Sequence, residues 1–213
     1  MESSVSLCYI TDGRSLAPKP LLPRIQEAIH AGVDLVQIRE KHLATRELLE
    51  LAKAAVDAAL GTATRIVVND RLDVALAAGA AGVHLGRQSL PARVVRQQVS
   101  KDFLVGVSCH SLQEARHAAS AGADYVVLGP IFATPSKLAY GPPLGLQKLR
   151  EVTAQVKIPV LALGGITLER VRSCLAAGAA GIAGISIFQN CESLQSRVQE
   201  LRAALARTPA PSF

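Results

Sequence analysis

The chain has 213 residues, 49% of them hydrophobic and 19% charged, which suits one domain with a full core. Aromatics make up only 3% and Trp is absent, so the core is expected to be aliphatic, and the net charge of +6 suits an anionic ligand. The scattered Lys and Arg residues, with no aromatics between them, argue against nucleic acid, and no apolar run approaches the ~20 residues of a membrane span.

Along the chain, eight short apolar runs alternate with segments of helical period. The first, 7–11 LCYIT, leads into TDGRSLAPKP, which lacks the glycine-rich fingerprint that a doubly wound open sheet places after its first strand. The second, 34–39 DLVQIR, exits through Gln37, Arg39 and Lys41, and the helical stretch RELLELAKAAVDAAL follows. The third, 64–69 TRIVVN, exits through Asn69 and Asp70 into LDVALAAG. The fourth, 81–85 AGVHL, ends in His84 and Leu85 and opens on the turn Gly86-Arg87-Gln88-Ser89. The fifth, 103–108 FLVGVS, exits through Ser108 and His110 into LQEARHAASAG. The sixth, 124–128 DYVVL, runs into a long loop, GPIFATPSKLAYGPPLG, that carries Thr134, Ser136 and Lys137. The seventh, 158–162 IPVLA, exits at Gly164-Gly165, and the eighth, 180–185 AGIAGI, at Gly184-Ile185-Ser186.

Runs this short and continuously apolar read as strands buried on both faces, and the intervening segments end at Gly as helices do. A weak repeat marks helix end, turn and strand start at 31–36 AGVDLV, 78–83 AGAAGV, 121–126 AGADYV and 177–182 AGAAGI. The pattern predicts an α/β protein, a single (β/α)8 TIM barrel over residues 1–206 with a frayed tail at 207–213. The four cysteines, Cys8, Cys109, Cys174 and Cys191, include no C-x-x-C pair, so reduced and mostly buried thiols in a cytoplasmic protein are expected. No secretion signal is recognisable.

In such barrels the site is built at the C-terminal strand ends, where this chain concentrates its polar residues. Gly164-Gly165 and Gly184-Ile185-Ser186 suit backbone N–H groups approaching a phosphate, or else tight packing of helix on strand. Arg39, Lys41 and Lys137 converge on the same mouth and suggest a second, more highly charged anion such as diphosphate. Asp70 could hold Mg2+ against that anion or cap the next helix. The loop after the sixth strand exceeds the usual connection length and is a plausible lid. His110 is a candidate for proton transfer, since Ser111 and Glu114 supply the capping box of the next helix. His84 is expected to pack or hydrogen-bond at the rim, and His30, His42 and His117 have no assigned role.

The motifs QIREK at 37–41, VNDRLDVAL at 68–76, GVHLG at 82–86, GVSCHS at 106–111, GPIFATPSK at 129–137, GGIT at 164–167 and GIS at 184–186 stand in order, each at a strand exit. Together they resemble the thiamine phosphate synthase and TenI (thiazole tautomerase) family from about residue 7 to 190. The resemblance implies a (β/α)8 barrel that joins hydroxymethylpyrimidine diphosphate to thiazole phosphate with Mg2+ assistance, releasing diphosphate. It implies that Gln37 contacts the pyrimidine, that Arg39, Lys41, Asn69, Ser108 and Lys137 hold the diphosphate, and that Asp70 binds Mg2+. Thr134, Ser136, Gly165, Ile185 and Ser186 would hold the thiazole phosphate, with Ser108, Lys137 and His110 as the catalytic candidates. Small phosphorylated substrates are the implied partners, and a homodimer is a possible assembly.

One departure stands out. Typical synthases read HLGQxD where this chain reads HLGRQS, so Ser89 occupies the position of the second Mg2+ ligand. TenI-type proteins tend to lack this Asp and carry text similar to VSCHSLQEA, in which the residue at the place of His110 moves a proton on a carboxythiazole phosphate without any metal. The retained REK, ND and Lys137 favour the synthase, with the tautomerase as the alternative.

Overall fold

The computed structural model of the protein describes residues 6–134 and 142–206. Eight parallel strands close into a barrel in chain order: β1 (Ser6–Ile10), β2 (Leu35–Ile38), β3 (Arg65–Asn69), β4 (Gly82–Leu85), β5 (Leu104–Cys109), β6 (Tyr125–Leu128), β7 (Val160–Leu163) and β8 (Gly181–Gly184). Each expected strand forms within about two residues of its predicted bounds, and the (β/α)8 barrel is the fold observed. The helices are α1 (Gly13–Leu16), α2 (Leu21–His30), α3 (Thr45–Ala59), α4 (Leu72–Ala77), α5 (Ala92–Gln98), α6 (Leu112–Ser120), α7 (Gly145–Gln155), α8 (Leu168–Ala176), α9 (Ser186–Gln189) and α10 (Leu194–Ala206). Residues 207–213, where a frayed tail was expected, lie outside the described residues.

The period of two along each strand sorts the core into two layers. Cys8, Ile10, Leu35, Val67, Tyr125, Val127, Leu161 and Ala183 fill the barrel interior. Alternate residues such as Leu7, Val36, Ile38, Val68, Val83, Val105, Val126 and Ile182 face outward and pack under the helices. The core is aliphatic as expected, apart from Tyr125 inside the barrel and the Tyr9–Phe188 ring pair outside it. Gly106 on β5 makes room for the Tyr125 ring, because a methyl group there would overlap it.

The repeat has a physical purpose at the lower end. Its glycines, Gly32, Gly79, Gly122 and Gly178, all have positive φ, which turns each chain from helix to strand. In the two copies that carry Asp, the carboxylate accepts the N–H of the second residue of the preceding strand: Asp34 Oδ2 from Leu7 at 2.6 Å and Asp124 Oδ2 from Val105 at 2.7 Å. Arg202 and Arg96 then pair with these carboxylates. Cys8, Cys109 and Cys174 are buried, Cys191 is half-buried, and all four are free thiols. No helix among the described residues is long and apolar enough to cross a membrane.

Candidate active site

The exits of β1 and β2 are locked together by Glu40, a carboxylate only 4% exposed. It accepts the Thr11 hydroxyl at 2.6 Å and the Gly13 N–H at 2.9 Å, while Thr11 Oγ1 in turn accepts the Arg39 N–H at 2.9 Å. One buried acid therefore sets the backbone that presents Arg39. Sequence reading passed over Glu40 and Thr11, since an acid between two cations in REK looks like a solvated charge. Gln37 is buried and lies in register with Ile10 and Val67 of the barrel interior, and its amide has no protein partner among the described residues. Arg39 is half-buried, and Lys41 is exposed.

Asn69 ends β3, and Asp70 follows with φ of 67°, the only non-glycine residue with positive φ among those described. Such backbone costs about 1 kcal/mol, least for Asp and Asn, and is a pointer to function. Its N–H donates to the His84 carbonyl at 2.8 Å, which ties the β3 exit to β4. The carboxylate is exposed and does not cap α4; the N-cap position belongs to Arg71, with no side-chain bond. The capping alternative for Asp70 is therefore corrected. Arg71 pairs with Asp73 through two bonds of 2.8 and 2.5 Å.

His84 lies inside the barrel, 2% exposed, with Nε2 at 2.8 Å from Ser108 Oγ and Nδ1 at 3.2 Å from Tyr125 Oη. Burial, aided by the Arg39 guanidinium, lowers its pKa to about 3, so the ring is neutral at physiological pH. The expectation of a hydrogen-bonded His84 is met, but the Tyr125 partner was not foreseen. Ser89 Oγ accepts the Gly86 N–H at 2.7 Å and so closes the turn after β4. At the β5 exit His110 is exposed, and its Nδ1 donates to the Gly129 carbonyl at 2.5 Å, which leaves Nε2 as the acceptor of the neutral ring. Ser111 caps α6 as expected, accepting the Glu114 N–H at 3.1 Å, while the Glu114 carboxylate accepts the His110 N–H at 2.6 Å. Ser89, Ser108, His110, Glu114 and Arg87 border a cavity of about 280 Å³ between the β4 and β5 exits.

On the other side of the mouth, β7 and β8 are neighbours, with Leu163 opposite Ala183, so Gly165 and Ile185-Ser186 leave adjacent strands. Gly164 and Gly165 have φ of 96° and 61°, and the loop after β6 lies against both. Ile131 and Phe132 donate their N–H groups to Leu163 and Gly164 at 2.7 and 3.0 Å, and a Cβ on Gly165 would meet the Ala133 carbonyl at 2.7 Å. These glycines are required by loop packing as well as by any approach to an anion. Arg170 stacks over Phe132 at 4.7 Å and donates to the Gly165 carbonyl at 2.7 Å, fixing the peptide orientation. The N–H groups of Gly165, Ile185 and Ser186 find no protein acceptor among the described residues. Thr167 is the N-cap residue of α8 by position, with no side-chain cap bond. Thr134 is half-buried in the loop after β6; Ser136, Lys137 and the rest of the expected lid lie outside the described residues.

The mouth is thus divided. The β2–β5 exits present amide, guanidinium, hydroxyl and carboxylate groups, and the β7–β8 exits present backbone donors. With this geometry in place, residues 7–188 match a family model described as thiamine monophosphate synthase. Among similar proteins, the thiamine-phosphate synthase of Methanoculleus marisnigri is 44% identical over 86% of this chain and 87% of its own. That of Roseiflexus sp. is 37% identical over 92% and 84%. A solved structure of thiamine phosphate pyrophosphorylase from Pyrococcus furiosus superposes with a TM-score of 0.85 at 35% identity, covering 96% of both chains.

Proposed function

The chain belongs to the thiamine monophosphate synthase family, and on that premise we propose that it is a transferase joining hydroxymethylpyrimidine diphosphate to thiazole phosphate. The products are thiamine phosphate and diphosphate. The observation that carries the reading is the divided mouth, which offers separate places for two phosphorylated substrates.

The pyrimidine enters beside the buried amide of Gln37. Its diphosphate is assigned to Arg39, Lys41, Asn69, Ser108 and Lys137. The thiazole phosphate takes the N–H groups of Gly165, Ile185 and Ser186 with the hydroxyls of Ser186, Thr134 and Ser136. The bond from the pyrimidine methylene to diphosphate oxygen breaks with its electron pair leaving on diphosphate. The lone pair of the thiazole nitrogen then forms the new C–N bond. Such a reaction asks the protein for positioning and charge stabilisation.

The donor set fits Mg2+ as a one-carboxylate site completed by substrate oxygens, because Asp70 is exposed and held in place by its bond to β4. When bound there, the ion would neutralise charge on the departing diphosphate. Ser89 adds no charge, and its oxygen is already engaged by Gly86. A cytoplasmic biosynthetic role accords with this chemistry.

A second reading, the thiazole tautomerase, draws on His110, whose Nε2 is left as an acceptor beside the cavity that Ser89 borders. Purified protein with the two synthase substrates and Mg2+ should release thiamine phosphate and diphosphate in equal amounts. Turnover of unaromatised carboxythiazole phosphate alone would replace the synthase by the tautomerase.

A further inference from the structure

We propose that Tyr125 and His84 are positioning residues that form a one-way hydrogen-bond chain and aim the hydroxyl proton of Ser108 out of the barrel at an anionic oxygen. The inference rests on the reading that Ser108 faces the diphosphate.

The chain begins at the bottom of a closed space. Tyr125 is 5% exposed, stands inside the barrel over Gly106, and has one hydrogen-bond partner among the described residues, His84 Nδ1 at 3.2 Å. Cys8 shares this interior layer without hydrogen-bonding to it. A neutral imidazole carries one proton, so two arrangements exist. If Nδ1 holds the proton, it donates to Tyr125 Oη, and the phenol proton then has no acceptor in a packed interior. Nε2 would meanwhile consume the Ser108 proton and present only oxygen lone pairs to a substrate. If Nε2 holds the proton, Tyr125 donates to Nδ1 and Nε2–H donates to Ser108 Oγ at 2.8 Å, so every buried group is satisfied. The Ser108 proton is then released toward the mouth. The second arrangement is the one an anion requires, since phosphate oxygens only accept.

The register produces this alignment. His84 pairs with Gly106, Gly106 with Tyr125, and Ser108 with Val127, so all three polar residues fall in the inward phase of adjacent strands. A phenol at position 125 thereby determines the tautomer of an imidazole one strand beyond its neighbour, and through it the polarity of a serine one layer above.

The tautomer is read directly from long-range 1H–15N spectra of protein labelled with 15N-histidine at pH 7 without ligand. His84 should show protonated Nε2 and bare Nδ1, and protonated Nδ1 would overturn the proposal. Tyr125→Phe should weaken binding of inorganic diphosphate with Mg2+ by about threefold to tenfold in calorimetry, as expected for one misdirected hydrogen bond. In a Ser108→Ala background the same substitution should change that affinity less than twofold. An equal loss in both backgrounds would reveal a merely structural tyrosine and overturn the chain. If the wild type does not bind diphosphate at all, the synthase reading fails, while the tautomer measurement still decides the hydrogen-bond direction.

Discussion

The hydroxyl oxygen of Ser89 accepts the backbone N–H of Gly86 at 2.7 Å, so the residue at the place of an expected metal ligand holds its own turn closed. Aspartate can accept the same N–H with one oxygen and offer the other to a cation. Ser89→Asp is therefore expected to keep the fold and to lower the Mg2+ concentration needed for half-maximal synthase activity. Steady-state rates over a magnesium titration decide it; an unchanged midpoint would mean that position 89 does not face the metal.

Asp70 pairs an exposed carboxylate with left-handed backbone. Asp70→Asn retains the conformational tolerance and should abolish synthase activity with little change in melting temperature. Asp70→Ala should lose activity equally and also about 1 kcal/mol of stability, because alanine tolerates that φ less well. His110→Ala should leave the synthase reaction largely intact. The reverse ranking, with His110→Ala eliminating all turnover, would identify a tautomerase.

Gly165 is constrained twice, by φ of 61° and by the Ala133 carbonyl and Phe132 Cβ at 2.7 and 2.9 Å from an added methyl. Gly165→Ala should displace the β6 loop and destabilise the protein by about 1–3 kcal/mol. On the proposed placing of the two anions at opposite sides of the mouth, it should raise KM for thiazole phosphate more than for the pyrimidine diphosphate. Thermal unfolding and paired KM values test both parts.

Protonation of His84 opposes folding. Its native pKa is lowered from 6.5 to about 3 by burial and by Arg39, so between these values the unfolded chain binds a proton that the native chain refuses. Stability should therefore fall as pH drops from about 6.5 toward 3, with no contribution from this residue above that window. His84→Gln should flatten this part of the profile, measured as urea midpoint against pH. A curve identical to the wild type would show that other groups govern the acid transition.

Much of the fold was legible because it rests on local chemistry. Five-residue apolar runs, helices ending at glycine and a repeated AG step predict a barrel without any long-range information, and the register confirms the order. The residues at each strand exit were legible for the same reason, since strand ends are marked by the change from apolar to polar. Glu40 escaped notice because its burial depends on two donors 27 and 29 positions away in sequence. The left-handed backbone of Asp70 escaped it too, because a helix-capping acid and a strained acid look alike in the string NDRLD.

The sequence by itself determined which residue types crowd the mouth of a parallel barrel, because burial on both faces demands continuously apolar strands and the polar residues then collect where each strand ends. Only the tertiary structure decided which of those residues act on each other. Tyr125, His84 and Ser108 come from three strands, and their contact depends on inward phase and register, properties of the closed sheet rather than of any segment. The same closure gave Gly164 and Gly165 their packing partner in the β6 loop. Hydrogen bonds act over about 3 Å, and only the folded chain brings residues from separate strands to that distance.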